Sequence, residues 1–159
     1  MKKTILIVAF ISLLCTNQAQ NRWFVGGTAA ISYTDYFYLA IEPQFGYEFT
    51  DRWALGAGIG FGLADVDIYG VAEPYVRFCA WHNDRIFIDL KATGALGFND
   101  ELIICQLGIR PSLRFRINDH WDIAADIGLF GAAYTAIDGW MPAVGINAAS
   151  AGLWFAYRF

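Results

Sequence analysis

The chain has 159 residues, enough for one domain, and is 57% hydrophobic and 17% aromatic with only 16% charged residues. So little polar material cannot cover an ordinary water-facing surface, yet the 16 glycines and the spread of the charges leave no conventional spanning helix. The formal charge is −4 without any Lys/Arg cluster, which excludes a nucleic-acid binder.

Residues 1–20 read as a targeting segment. Lys2 and Lys3 form the positive start, Ile5 to Leu14 the apolar stretch, and Ala19 and Gln20 the region of cleavage, so the mature domain is expected over 21–159. Loss of two lysines from the 11 bases leaves nine against 15 acids. Cys15 follows Leu14 rather than a small residue, which argues against a lipoprotein.

A turn recurs along the mature chain. Thr50-Asp51-Arg52-Trp53, Asn83-Asp84-Arg85 and Asn118-Asp119-His120-Trp121 each carry an Asp followed by a basic or imidazole residue, spaced 33 and 35 residues apart. Asn and Asp side chains bond the nearby backbone and so favour turns. The stretches between read as strands at roughly Arg22 to Ser32, Tyr38 to Phe49, Trp53 to Ala64, Tyr69 to Trp81, Arg85 to Phe98, Leu102 to Arg116, Trp121 to Tyr134 and Ala143 to Phe159. Eight antiparallel strands of this length suit an all-β, up-and-down transmembrane barrel, whose closure leaves no backbone edge in lipid. Gly139 to Tyr157 is uncharged and long enough for a spanning helix, but Gly139, Pro142, Gly145 and Gly152 argue for strand.

Alternation assigns faces. In the third strand Trp53, Leu55, Ala57, Ile59, Phe61 and Leu63 share one face, while Ala54, Gly56, Gly58, Gly60 and Gly62 leave room inside for long side chains from opposite strands. The same parity directs Glu42, Glu48, Glu73, Asp89, Asp122 and Asp126 inward together with Arg77, Lys91, Arg110, Arg114, Arg116 and Arg158. An interior charge network satisfies the cost of placing charge in lipid. In so narrow a barrel it reads as a plug, with an ion path as the alternative. Cys79 is expected inside and Cys105 outside, giving two unpaired thiols. Aromatic belts are expected at Trp23, Phe49, Trp53, Trp121, Tyr157 and Phe159 on the tight-turn side and at Tyr33, Tyr36, Phe37, Tyr69, Phe98, Tyr134 and Trp140 on the other.

The final strand alternates Leu153, Phe155, Tyr157 and Phe159 with Gly152, Trp154, Ala156 and Arg158. This pattern, and the hairpin from Gly108 to Phe115 leading into Asn118-Asp119-His120-Trp121, resembles the small outer-membrane β-barrels of Gram-negative bacteria, the OmpA/OmpX-like and porin-like group. The resemblance implies residence in the outer membrane, with termini and tight turns in the periplasm. It also implies recognition of Leu153, Phe155, Tyr157 and Phe159 by the barrel-insertion machinery, and contact with outer-membrane lipids and lipopolysaccharide as a monomer. With Phe159 as the last residue, no peptidoglycan-binding domain is expected.

The outer connections, near Tyr33–Phe37, Asp65–Ile68, Asn99–Glu101 and Thr135–Pro142, are short, which weakens an adhesive role. They carry Asp35, Asp65, Asp67, Asp100, Glu101 and Asp138 without Lys or Arg, a rim that divalent cations could bridge to lipopolysaccharide. A lipid-modifying enzyme of the outer leaflet would need a nucleophile and base together, but His82 and His120 fall on the tight turns, far from Ser32. Glu42-Pro43 and Glu73-Pro74 offer an inward carboxylate pair, with Arg77, Lys91 and Arg110 near enough to make it an ion-pair partner set. The expectation is therefore a non-enzymatic barrel without cofactor or metal, serving envelope structure or surface interaction. A lipid-modifying enzyme and a narrow channel are the alternatives, and a soluble calyx would need the reverse parity.

Overall fold

The computed structural model describes residues 22–33, 37–64, 67–98, 103–135, 139–145 and 151–159. The expected leader, Ala19 and Gln20, and most of the outer-loop acids lie outside the described residues. Every regular element among the described residues is a strand: β1 (Arg22–Tyr33), β2 (Phe37–Glu48), β3 (Trp53–Ala64), β4 (Asp67–His82), β5 (Ile86–Phe98), β6 (Ile103–Arg116), β7 (Trp121–Ile127), β8 (Leu129–Thr135), β9 (Gly139–Gly145) and β10 (Ala151–Arg158). All pairings are antiparallel, β1 joins β10, and β5–β6 closes the ring. β7 and β8 form one pass and β9 and β10 another, so the barrel has eight strands.

The two segmented passes correct the sequence reading, which drew each as one strand and placed residues 135–142 in a loop. Pro142 instead lies in β9 opposite Ala132. Between β7 and β8, Ser112 pairs Asp126 and Ile109 pairs Phe130, so three residues face two across the ladder. Gly128 absorbs this bulge with φ 150°, and the missing N–H of Pro111 lies opposite, where the ladder is already broken. After the bulge the parity flips: Asp126 and Leu129 are both buried. A second bulge, between Cys79 and Trp81, turns Trp81 outward beside Ile88.

The tight turns explain the Asp-basic repeat. Thr50 Oγ1 accepts the N–H groups of Arg52 and Trp53, Asn83 Oδ1 those of Arg85 and Ile86, and Asn118 Oδ1 those of His120 and Trp121. The carbonyl after each Asp then accepts an N–H from the neighbouring hairpin: Cys79 on Arg52, Arg116 on Arg85, Arg158 on His120, each at 2.7 Å. The repeat thus stitches adjacent hairpins beyond the ends of their strands.

The outer wall is apolar. Ile59, Phe61, Leu107, Ile109, Val144 and Leu153 are each about half exposed or more, a surface that water does not tolerate and hydrocarbon does. At the tight-turn end Trp23 stacks near Tyr47, Trp53 on Phe78, and Trp121 against Tyr157, with ring centroids 4.7–5.1 Å apart. Trp81, which the parity did not place, joins this belt. At the other end Tyr134 and Trp140 lie 5.5 Å apart and Phe98 is exposed. Tyr69 does not belong there: it lies across Gly62, on the inner face. Tyr36 and the side chains of Tyr33 and Phe37 fall outside the described set.

The glycine face of β3 points inward as expected, but the residues it admits come from adjacent strands rather than the opposite wall. Tyr75 covers Gly56, its partner in register, just as Phe24 covers Gly46; Glu42 reaches over Gly58. A Cβ at any of these glycines would meet the ring or the carboxylate. Ring over glycine is how a twisted sheet seats a large side chain at a narrow radius.

Candidate functional site

Of the twelve charged residues that alternation directs inward, Glu73, Arg77, Asp89, Lys91, Arg114, Asp122, Asp126 and Arg158 are buried, while Glu42, Glu48, Arg110 and Arg116 are partly exposed, the last two with side-chain exposures of 17% and 29%. They converge because each sits at an inward position of a strand whose alternate positions form the apolar outer wall.

At the tight-turn end three guanidiniums share one carboxylate. Asp122 accepts from Arg158 at 2.6 Å and Arg114 at 2.9 Å, and Arg116 stands 3.7 Å away. Arg114 also donates to Asp89 at 2.6 Å, and Arg77 bridges Glu48 to Asp89 at 2.5 and 3.9 Å. Glu48 receives Arg158 as well, at 3.8 Å. Phe87 underlies the cluster, with Arg114 and Arg116 stacked 4.1 and 4.5 Å from its ring centroid.

Toward the other end Lys91 binds Asp126 at 2.8 Å and Arg110 binds Glu73 at 3.1 Å. Glu42 has no cation within 4 Å among the described residues; Gln44 donates to it at 2.9 Å. Gln44 also donates to Thr28 and accepts from Trp154 Nε1, both at 2.9 Å, tying the neighbouring strands β2, β1 and β10 together on the inner face. This uncharged link escaped a reading that followed charges alone, although Gln44, Thr28 and Trp154 all occupy inward positions of the same alternation. Phe24, Tyr75, Trp154, Ala54, Ala124 and Ala156 pack as an apolar centre against these polar groups, with Arg77 lying 5.2 Å from the Phe24 ring and 5.6 Å from that of Trp154.

Between Tyr75, Lys91, Ser112, Asp126 and Trp154 lies a cavity of about 10 Å³, at the lower limit of what one water occupies. Below it, the barrel widens among the tight turns into a vestibule of about 530 Å³ whose floor is Arg114, Arg116 and Arg158.

Candidate chemistry is not brought together. His82 and His120 lie at the tight-turn end, His120 with Nδ1 3.0 Å from the Arg158 carbonyl and its ring stacked on Tyr157, while Ser32 pairs Tyr38 at the opposite end of β1. Glu42 and Glu73 share a region, but Arg110 occupies Glu73. Among the described residues no group of three or more His, Cys, Asp or Glu could hold a metal ion. Cys79 is buried inside and Cys105 stands on the outer face opposite Leu96 and Tyr134; neither forms a disulfide. Leu153, Phe155 and Phe159 face outward, and Tyr157 packs between His120, Trp121 and Phe159.

A closed ring of eight antiparallel strands, apolar outside and charged inside, is the architecture of a small up-and-down β-barrel of the kind that suits a membrane. Among solved structures the chain is similar to the N-terminal β-barrel domain of Pseudomonas aeruginosa OprF. The TM-score is 0.63 at 16% identity, over 89% of this chain and 100% of that one, a likeness of fold. No protein-family model matches the sequence, and no curated protein matches it.

Proposed function

We propose that the protein is an integral outer-membrane barrel whose interior is a structural plug, non-enzymatic, serving envelope integrity or surface interaction with its termini and tight turns toward the periplasm. The observation that carries this reading is the pairing inside the barrel: Arg77, Lys91, Arg110, Arg114, Arg116 and Arg158 each reach a carboxylate, and the cavity beside Tyr75, Lys91 and Trp154 is about 10 Å³. Separated catalytic candidates support the non-enzymatic part. The apolar wall supports outer-membrane lipid and lipopolysaccharide as surroundings for a monomer, and the outward row Leu153, Phe155, Tyr157 and Phe159 suits capture by insertion machinery.

The narrow-channel reading draws on one observation, the vestibule, which opens the bore from one end as far as Arg114. Single-channel recording in planar bilayers decides between them. The plug predicts no steady conductance for the native protein and the appearance of openings in Glu48→Gln/Asp89→Asn. Steady native conductance altered by Arg110→Ala would establish the channel and overturn the plug.

A further inference from the structure

Among the twelve inward-directed charges six bases face six acids, but they do not match along the barrel. At the tight-turn end four guanidiniums, Arg77, Arg114, Arg116 and Arg158, share the three carboxylates of Glu48, Asp89 and Asp122. Beyond them Lys91 and Arg110 serve Asp126 and Glu73, and Glu42 is left with Gln44. One half of the bore therefore has a base to spare, and the other an acid.

The spare base can be identified. Among the described residues the one carboxylate within 4 Å of Arg116 is Asp122, at 3.7 Å, and that carboxylate is already held at 2.6 and 2.9 Å by Arg158 and Arg114. Arg116 Nε has no hydrogen-bond partner, and neither has Nε of Arg158, whose side chain is 2% exposed. Both guanidiniums line the vestibule of about 530 Å³, which also meets Arg22 and Arg114; Asp51 and Asp84 lie on the exposed turns at its rim, and Glu48 is already bound by Arg77. An unmatched positive charge at the floor of a narrow protein-walled cup attracts anions more strongly than the same charge on an open surface. Planar guanidinium forks suit oxyanions with two oxygens to offer.

We propose that the vestibule is a binding site for a small soluble oxyanion of the phosphate class, held by Arg116 with Arg158 beneath it. The ligand comes from the aqueous phase, because these side chains face the bore and not the surrounding lipid. Titrating inorganic phosphate into the folded, detergent-solubilised protein by calorimetry, with chloride matched for ionic strength, tests this. The native barrel is expected to give saturable one-site binding, weakened about tenfold or more in Arg116→Gln and less in Arg116→Lys, since a charged hydrogen-bond donor is being removed. Glu42→Gln, in the other half of the bore, is expected to leave the affinity unchanged. Gel mobility before and after boiling checks that each variant is folded, and the partial exposure of Arg116 makes both of its variants tolerable. Absence of saturable binding, equal affinity in Arg116→Gln, or displacement of phosphate by phosphatidylglycerol micelles would overturn the proposal.

Discussion

Removing Asp122 is the sharpest test of the plug. Its side chain is 1% exposed and is the point where β6, β7 and β10 are joined through Arg114, Arg116 and Arg158. In Asp122→Ala four guanidiniums would face only Glu48 and Asp89, and Arg158 would keep a single carboxylate at 3.8 Å. Breaking one partner out of a buried ionic group costs about 3–5 kcal/mol. Water in the vestibule can solvate Arg116, whereas Arg114 and Arg158 meet it with only 2% of their surface each, so a loss of about 3 kcal/mol is expected. Asp122→Asn keeps an acceptor for one guanidinium and should lose roughly half as much. Urea unfolding in lipid vesicles, followed by tryptophan fluorescence, reads both values. Adding Arg158→Gln to Asp122→Ala should restore part of the loss, because the surplus charge leaves with it. A loss under about 1 kcal/mol in Asp122→Ala, with no recovery in the double variant, would refute the view that Asp122 holds a buried ionic network together.

Three further perturbations probe the wall, the inner face and the turns by the same unfolding measurement. Ile109→Arg, midway along β6 on the outer face, should cost about 2–4 kcal/mol if that face meets hydrocarbon, and almost nothing if it meets water. Gly56→Ala would drive a methyl into the Tyr75 ring and should cost about 1–3 kcal/mol, with Gly56→Ala/Tyr75→Leu recovering much of it. Asn118→Ala removes the acceptor for two turn amides and should cost about 1 kcal/mol, whereas Asp119→Ala beside it should stay within about 0.5 kcal/mol.

Strand alternation separates the twelve charges from the apolar wall, because a register slip of one residue would exchange the two faces of a strand. It was not sufficient to say which acid meets which base. Arg77 lies in register with Lys91, yet its guanidinium reaches Glu48 and Asp89, since tilted strands and long side chains carry contacts off the ladder. Nor did alternation reveal the bulges near Ala80 and Gly128. A single inserted residue leaves only a glycine, or nothing, as its mark, and so alternation does not place Trp81; Tyr69, expected in the belt from its position at a strand end, keeps the inward parity of Glu73 and Arg77 with no bulge between them. The Asp-basic repeat was visible, but its purpose was not, because the carbonyls that stitch neighbouring hairpins belong to the backbone and carry no side-chain signature.

The most direct test of the central claim, a closed barrel with lipid outside and a filled, charged bore, is the gel mobility of the membrane-extracted protein with and without boiling. A closed ladder with its charges paired inside should resist detergent until heated, giving a compact band that shifts on boiling and is recovered from the outer-membrane fraction. A protein found in the soluble fraction, migrating identically before and after boiling, would contradict the account.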